Sequence, residues 1–142
     1  MGVNTNGDFK SIISWSKGVF TDTQMMKGIK NVILTGHKPC YVFTGAHHKV
    51  EPSVKAMCDA VVSNVPAGVN VYYVAAHDHN LAKSKDGTKF ISGGGGGNKY
   101  ACGTDAEWDY CNNKDDGYLT ASIDKNGVID WTFYNLKGAA LK

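Results

Sequence analysis

Several common signals of function are missing from this chain. None of its four cysteines, Cys40, Cys58, Cys102 and Cys111, forms a C-x-x-C pair, which argues against a structural zinc site. No stretch approaches the roughly 18 consecutive apolar residues of a membrane span, so no transmembrane segment is expected. The opening MGVNTNGDFK has no apolar signal core, and Asn6 stands where a myristoylation signal needs Ser or Thr. Runs of Lys and Arg are absent and the net charge is only +2, which gives no basis for a nucleic-acid groove. Neither a serine nucleophile elbow nor a Cys-His protease signature occurs. There are three prolines, no Pro/Ser-rich linker and no internal repeat. The 142 residues therefore read as one domain, 1–142, long enough for a real core.

What is present is patterned. Residues 1–20 read as irregular or weakly helical, and Gly7-Asp8 in NGDFKS reads as incidental. TDTQMMKG, with Gln24 three residues after Thr21, has the capping-box pattern of a short helix ending near Gly28. NVILTGH predicts a strand from Asn31 to Thr35. In EPSVKAMCDAVVSNV, Val50, Val54, Met57, Cys58, Val61, Val62 and Val65 recur at helical spacing, and Pro52 suits the first turn. VNVYYVAA predicts the next strand. This is a βαβ-like unit whose strands run into His37 and His77, at the carboxyl ends where ligand sites collect in open α/β sheets.

The second half changes character. A strand is expected from Thr88 to Ser92, followed by the run Gly93 to Gly97. That run lacks the Lys-Ser/Thr ending of a phosphate loop, so it reads as a tight loop where backbone passes close to a site or to other backbone. GTDAEWDYCNNKDDGY carries Asp105, Glu107, Asp109, Asp115 and Asp116 without EF-hand spacing, and reads as a solvated loop. Cys102 and Cys111 flank its first half; four free thiols are expected, with a disulfide closing this loop as the alternative. GYLTASIDKNGVIDWTFYNL predicts a β-hairpin turning at Asn126-Gly127. The fold class is α/β with an α+β tail.

All five histidines, His37, His47, His48, His77 and His79, fall within one third of the chain. Neutral imidazole is a common transition-metal ligand, and Asp78 between two of them is suited to supporting a ligand as an acceptor.

Taken together, VILTGHKPCY, AHHK, VYYVAAHDHNL and KFISGGGGG resemble the C-terminal half of the calcineurin-like metallophosphoesterases, most similarly the purple (tartrate-resistant) acid phosphatases. The resemblance covers about residues 24–136. It implies half of a four-layer αββα sandwich and a hydrolase, an acid phosphatase-like metallophosphatase acting on phosphate monoesters at a dinuclear metal site. His37 and His77 would bind one metal, His79 the other, and His47 or His48 would be the outer-sphere catalytic histidine. The implied cofactor is a pair of Fe, Zn or Mn ions. Two departures stand out: Ala76 occupies a family glycine position, and the family's N-terminal Asp and Asn ligand motifs are absent. The chain would then be a fragment supplying the histidine half of the site, with the missing N-terminal half or a self-associated copy as partner. A secreted or vacuolar-type compartment would suit such a fragment. The alternative is a non-catalytic remnant or binding module holding one metal, an anion or a protein partner.

Overall fold

The computed structural model describes residues 2, 4 and 7–142. The readings placed on Met1, Val3, Thr5 and Asn6, irregular structure and the absent myristoylation signal, lie outside the described residues. In chain order the elements are α1 (Phe9–Thr21), β1 (Asn31–Gly36), α2 (Pro52–Val62), β2 (Asn70–Ala75), β3 (Leu81–Ser84), β4 (Lys89–Ser92), β5 (Trp108–Asn112), β6 (Gly117–Ile123) and β7 (Ile129–Asn135). They form a mixed α/β, sheet-rich arrangement of two helices, a five-stranded sheet and a separate two-stranded ribbon.

The expected βαβ unit is present. β1 and β2 pair in parallel, from Asn31 opposite Asn70 to Gly36 opposite Ala75. α2 crosses between them and buries Val54, Met57, Cys58 and Val61. β4 pairs in parallel with β2, while β3 lies antiparallel between β4 and β5. The strand order is thus β1-β2-β4-β3-β5. Both helices cover one face of the sheet, against Val32 and Leu34. The β6–β7 ribbon covers the other, where Phe90, Leu81 and Phe133 are buried with Tyr72, Val74 and Trp131 around them. Each such large apolar side chain contributes about 1.5–3 kcal/mol on full burial.

Three expectations are corrected. First, residues 9–21 form a true helix, because Asp8 caps it. Its carboxylate accepts from the backbone N–H groups of Lys10 (3.0 Å) and Ser11 (3.4 Å) and from the Ser11 hydroxyl (2.6 Å), which holds its pKa below the usual carboxylate range. Gly7-Asp8 is therefore a helix start. Thr21 ends this helix, so no helix begins there; Asp22 instead accepts from Gln24 and Met25 N–H and folds residues 23–28 into turns. Second, the supposed solvated loop contains β5, and its Trp108 is 1% exposed. Asp105 organises the entry to β5, accepting from Thr44, Glu107 and Trp108 backbone N–H groups, and those bonds lower its pKa to about 2. Third, the cysteines are paired, Cys40 with Cys58 and Cys102 with Cys111. The first pair ties the loop after β1 to α2, a link that sequence separation did not suggest.

Candidate functional site

The site is built at the carboxyl ends of β1 and β2. Each strand ends in a small residue, Gly36 or Ala75, and turns directly into His37 or Ala76-His77. The Ala76 N–H donates to the His37 carbonyl (3.1 Å), so one backbone bond locks the two turns together. His77 then adopts φ 64°, unlike every other non-glycine residue among those described. Strain from positive φ falls on His77, one residue beyond Ala76, which the resemblance sets at a glycine position. The Gly93–Gly97 run approaches this turn from β4. A Cβ on Gly93 would lie 1.9 Å from the Asp78 carbonyl oxygen, and one on Gly96 would lie 2.3 Å from His79 Cδ2. The glycines are thus needed for close passage, as the sequence suggested.

All five histidines meet here, in one chain of touching rings. His37 Nε2 lies 3.1 Å from His77 Nδ1. The His77 and His48 rings are 3.8 Å apart, and those of His48 and His47 4.6 Å. Tyr100 is stacked between His47 (4.0 Å) and His79 (4.5 Å). Nothing in the sequence singled out Tyr100; its one signal is an aromatic residue three positions after the glycine run. His77 and His79, read as an i, i+2 pair, end on opposite sides of this ring chain.

Charge is distributed unevenly. Asp78 is fully buried beneath the rings. Its Oδ1 accepts from the His48 backbone N–H (3.1 Å) and from His48 Nδ1 (2.8 Å). Asp78 Oδ2 and both polar side-chain atoms of the fully buried Asn80 have no hydrogen-bond partner among the described residues. His79 Nδ1 donates to the Asn98 carbonyl (2.8 Å). The pKa of His77 is lowered, first by burial and then by His48 and His37; Asp78 opposes this and Lys38 adds to it.

These residues do not fit the expected metal pair. His37 and His77 converge, but His79 is turned onto Tyr100, and Asp78 is occupied with His48 below the rings. Among the described residues, no group of three or more His, Cys, Asp and Glu side chains is placed to hold a metal ion. Nor is any described helix long and apolar enough to cross a membrane.

Comparison with known proteins points the same way. No family model matches the chain, and no curated protein matches it. Among solved structures, it is similar to GAP50, the anchor in the inner membrane complex of Plasmodium, with a TM-score of 0.67 and 18% identity. The match covers 99% of this chain and 46% of that one, so the chain spans less than half the length of its structural neighbour. At this identity the likeness establishes a shared fold. The expected membership of the metallophosphoesterases is overturned: the similar structure is that of an anchor, and no family model supports the assignment. With it goes the expected hydrolysis of phosphate monoesters at a dinuclear metal site, and with that the label of hydrolase, since the ring cluster gathers histidines without assembling a metal-binding group.

Proposed function

We propose that this chain is a non-catalytic binding module whose ring cluster holds one anionic group, a phosphate or a carboxylate. One observation carries the reading. Among the described residues, the one carboxylate hydrogen-bonded to an imidazole is Asp78, which is fully buried and engaged with His48. The outer side presents imidazole nitrogens and the Tyr100 ring. Protonation of an imidazole adds an N–H donor and positive charge, which favours an anion on the outer side, while Asp78 accepts from His48 on the inner side. An anion on that side meets N–H donors.

The anchor role of the structural neighbour GAP50 favours binding over turnover. Two disulfides suit an oxidising compartment, secreted or vacuolar.

The test is titration with inorganic phosphate at mildly acid and at neutral pH, followed through the histidine ring resonances, with zinc alone as the comparison. Phosphate should shift the His37, His48 and His77 rings, bind more tightly in acid, and lose at least about tenfold in affinity in His37→Ala or His48→Ala, equivalent to about 1.4 kcal/mol. Indifference to phosphate at both pH values would sink the reading. So would zinc binding that tightens as pH rises, because protons compete with a metal for imidazole nitrogen.

A further inference from the structure

We propose that two copies of this chain pair through the outer edge of β6, antiparallel, to form a continuous four-stranded ribbon β7-β6-β6-β7. This surface lies on the hairpin, apart from the ring cluster, and goes beyond the anion reading.

The hairpin's hydrogen-bond phase decides which groups face outward. Asp124 N–H donates to the Val128 carbonyl (3.0 Å) at the turn, and the register pairs Ser122 with Asp130, Thr120 with Thr132 and Tyr118 with Tyr134. Backbone groups alternate along an antiparallel pair. Those of Tyr118, Thr120 and Ser122 therefore face β7, and those of Gly117, Leu119, Ala121 and Ile123 face away. The other side of the hairpin shows the same phase: Phe133 and Asn135, outward on β7, are met by residues 139–142. Phe133 N–H donates to the Lys142 carbonyl, Leu141 N–H to Phe133, and Asn135 N–H to Ala139. β7 is thus covered along that stretch, whereas among the described residues the ribbon ends at β6 with no further strand beside it.

β6 lacks the usual protections of an open edge. GYLTASI has no charge, no proline and no bulge. Its outward side ends in Ile123, which is 59% exposed. The edge is also complementary to itself. Centred on Ala121, two antiparallel copies place Leu119 opposite the partner's Ile123 and Ala121 opposite the partner's Ala121. Every outward N–H between Leu119 and Ile123 then meets an outward carbonyl, and the exposed Ile123 gains an apolar neighbour. Charge selects this register. Centring on Thr120 would set Asp116 opposite the partner's Asp124, two like charges. Centring on Ala121 sets Asp116 opposite the partner's Asn126 and Asp124 opposite the partner's Tyr118. A two-fold axis at Ala121 makes the contact closed, so pairing stops at two.

The test uses the full chain. Sedimentation velocity over a wide concentration range should show the mass rising from one chain to two. Amide exchange at Leu119, Ala121 and Ile123 should slow with concentration, while exchange at Tyr118, Thr120 and Ser122 stays the same. Ala121→Pro removes one outward N–H and leaves the β6–β7 ladder untouched, because an outward edge position tolerates proline. It should weaken pairing at least about tenfold. Ile123→Lys, which adds a charge to the edge without altering the backbone, should do the same. A monomer at every concentration would overturn the proposal, as would a dimer undiminished in both variants.

Discussion

At the residue scale, His77 concentrates the unusual physics of this chain. Its φ of 64° is costly for most side chains and least so for glycine, asparagine and aspartate. His77→Asn should therefore hold thermal stability within about 1 kcal/mol of the parent, whereas His77→Val should lose about 1–3 kcal/mol, since a β-branched residue tolerates this backbone poorly. Chemical denaturation of the two variants decides this; equal losses would mean that ring packing, not backbone strain, dominates the position. The lowered pKa of His77 also sets a pH dependence. Folded His77 binds fewer protons than unfolded His77, so its contribution to stability is present above the unfolded value of 6.5 and is lost as pH falls below it. Melts in mildly acid buffer should show this acid loss in the parent and a shallower one in His77→Asn. The histidines were legible in the sequence as a cluster because they are few and bunched. What they contact was not: ring order, the stacking on Tyr100 and the burial of Asp78 arise from loops far apart in the chain. His77 came to rest against His37 and His48 rather than acting as one of a pair with His79, which no local spacing indicates.

At the element scale, strong periodicity was readable and weak periodicity was not. β1, α2, β2 and the β6–β7 hairpin follow directly from alternating or helical apolar patterns and from the Asn-Gly turn. β3 and β5 escaped because each is short and flanked by polar residues; their apolar members, Leu81 and Trp108, are buried only once β3 lies between β4 and β5. α1 escaped because its cap, Asp8, looked incidental in a polar opening. The glycine run was read correctly as a close-passage loop, and it supports a sharp prediction. Gly93→Ala must push a methyl group against backbone, 1.9 Å from the Asp78 carbonyl oxygen, which no rotamer relieves. A loss above about 3 kcal/mol is expected, whereas Gly95→Ala and Gly97→Ala, with nothing within 4 Å of the added carbon, should be mild. Indistinguishable denaturation curves for the three would refute the close passage. The disulfides offer a second comparison. Cys40 and Cys58 are 18 apart in sequence, Cys102 and Cys111 only 9. Opening the longer loop should cost about 3 kcal/mol and the shorter about 2.5 kcal/mol in the chain-entropy description. Paired Cys→Ala variants measure each, and mass spectrometry without reductant should find no alkylatable thiol in the oxidised parent.

At the scale of the whole molecule, the sheet is sealed by helices on one face and by a ribbon on the other, and the ring cluster sits where the parallel strands end. The family resemblance seen in the sequence rested on the residues that shape these strand ends. Those residues build a turn, a close glycine passage and a histidine gathering whether or not a metal is held, so motif order conveyed the local architecture and overstated the chemistry. The segment 139–142 laid along β7 has a consequence of a different kind. It sets the valence of the hairpin. A ribbon with a single exposed side can make a finite pair and no more; a ribbon with two can add copies without end. Deleting residues 139–142 would strip the hydrogen-bonded cover from Phe133 and Asn135 and leave β7 as a second open edge along its length. Such a truncated chain should grow fibres that scatter light and bind amyloid dyes, while the intact chain stays clear at the same concentration. Ala121→Pro, placed in the truncated chain, should cap growth again by closing the other side.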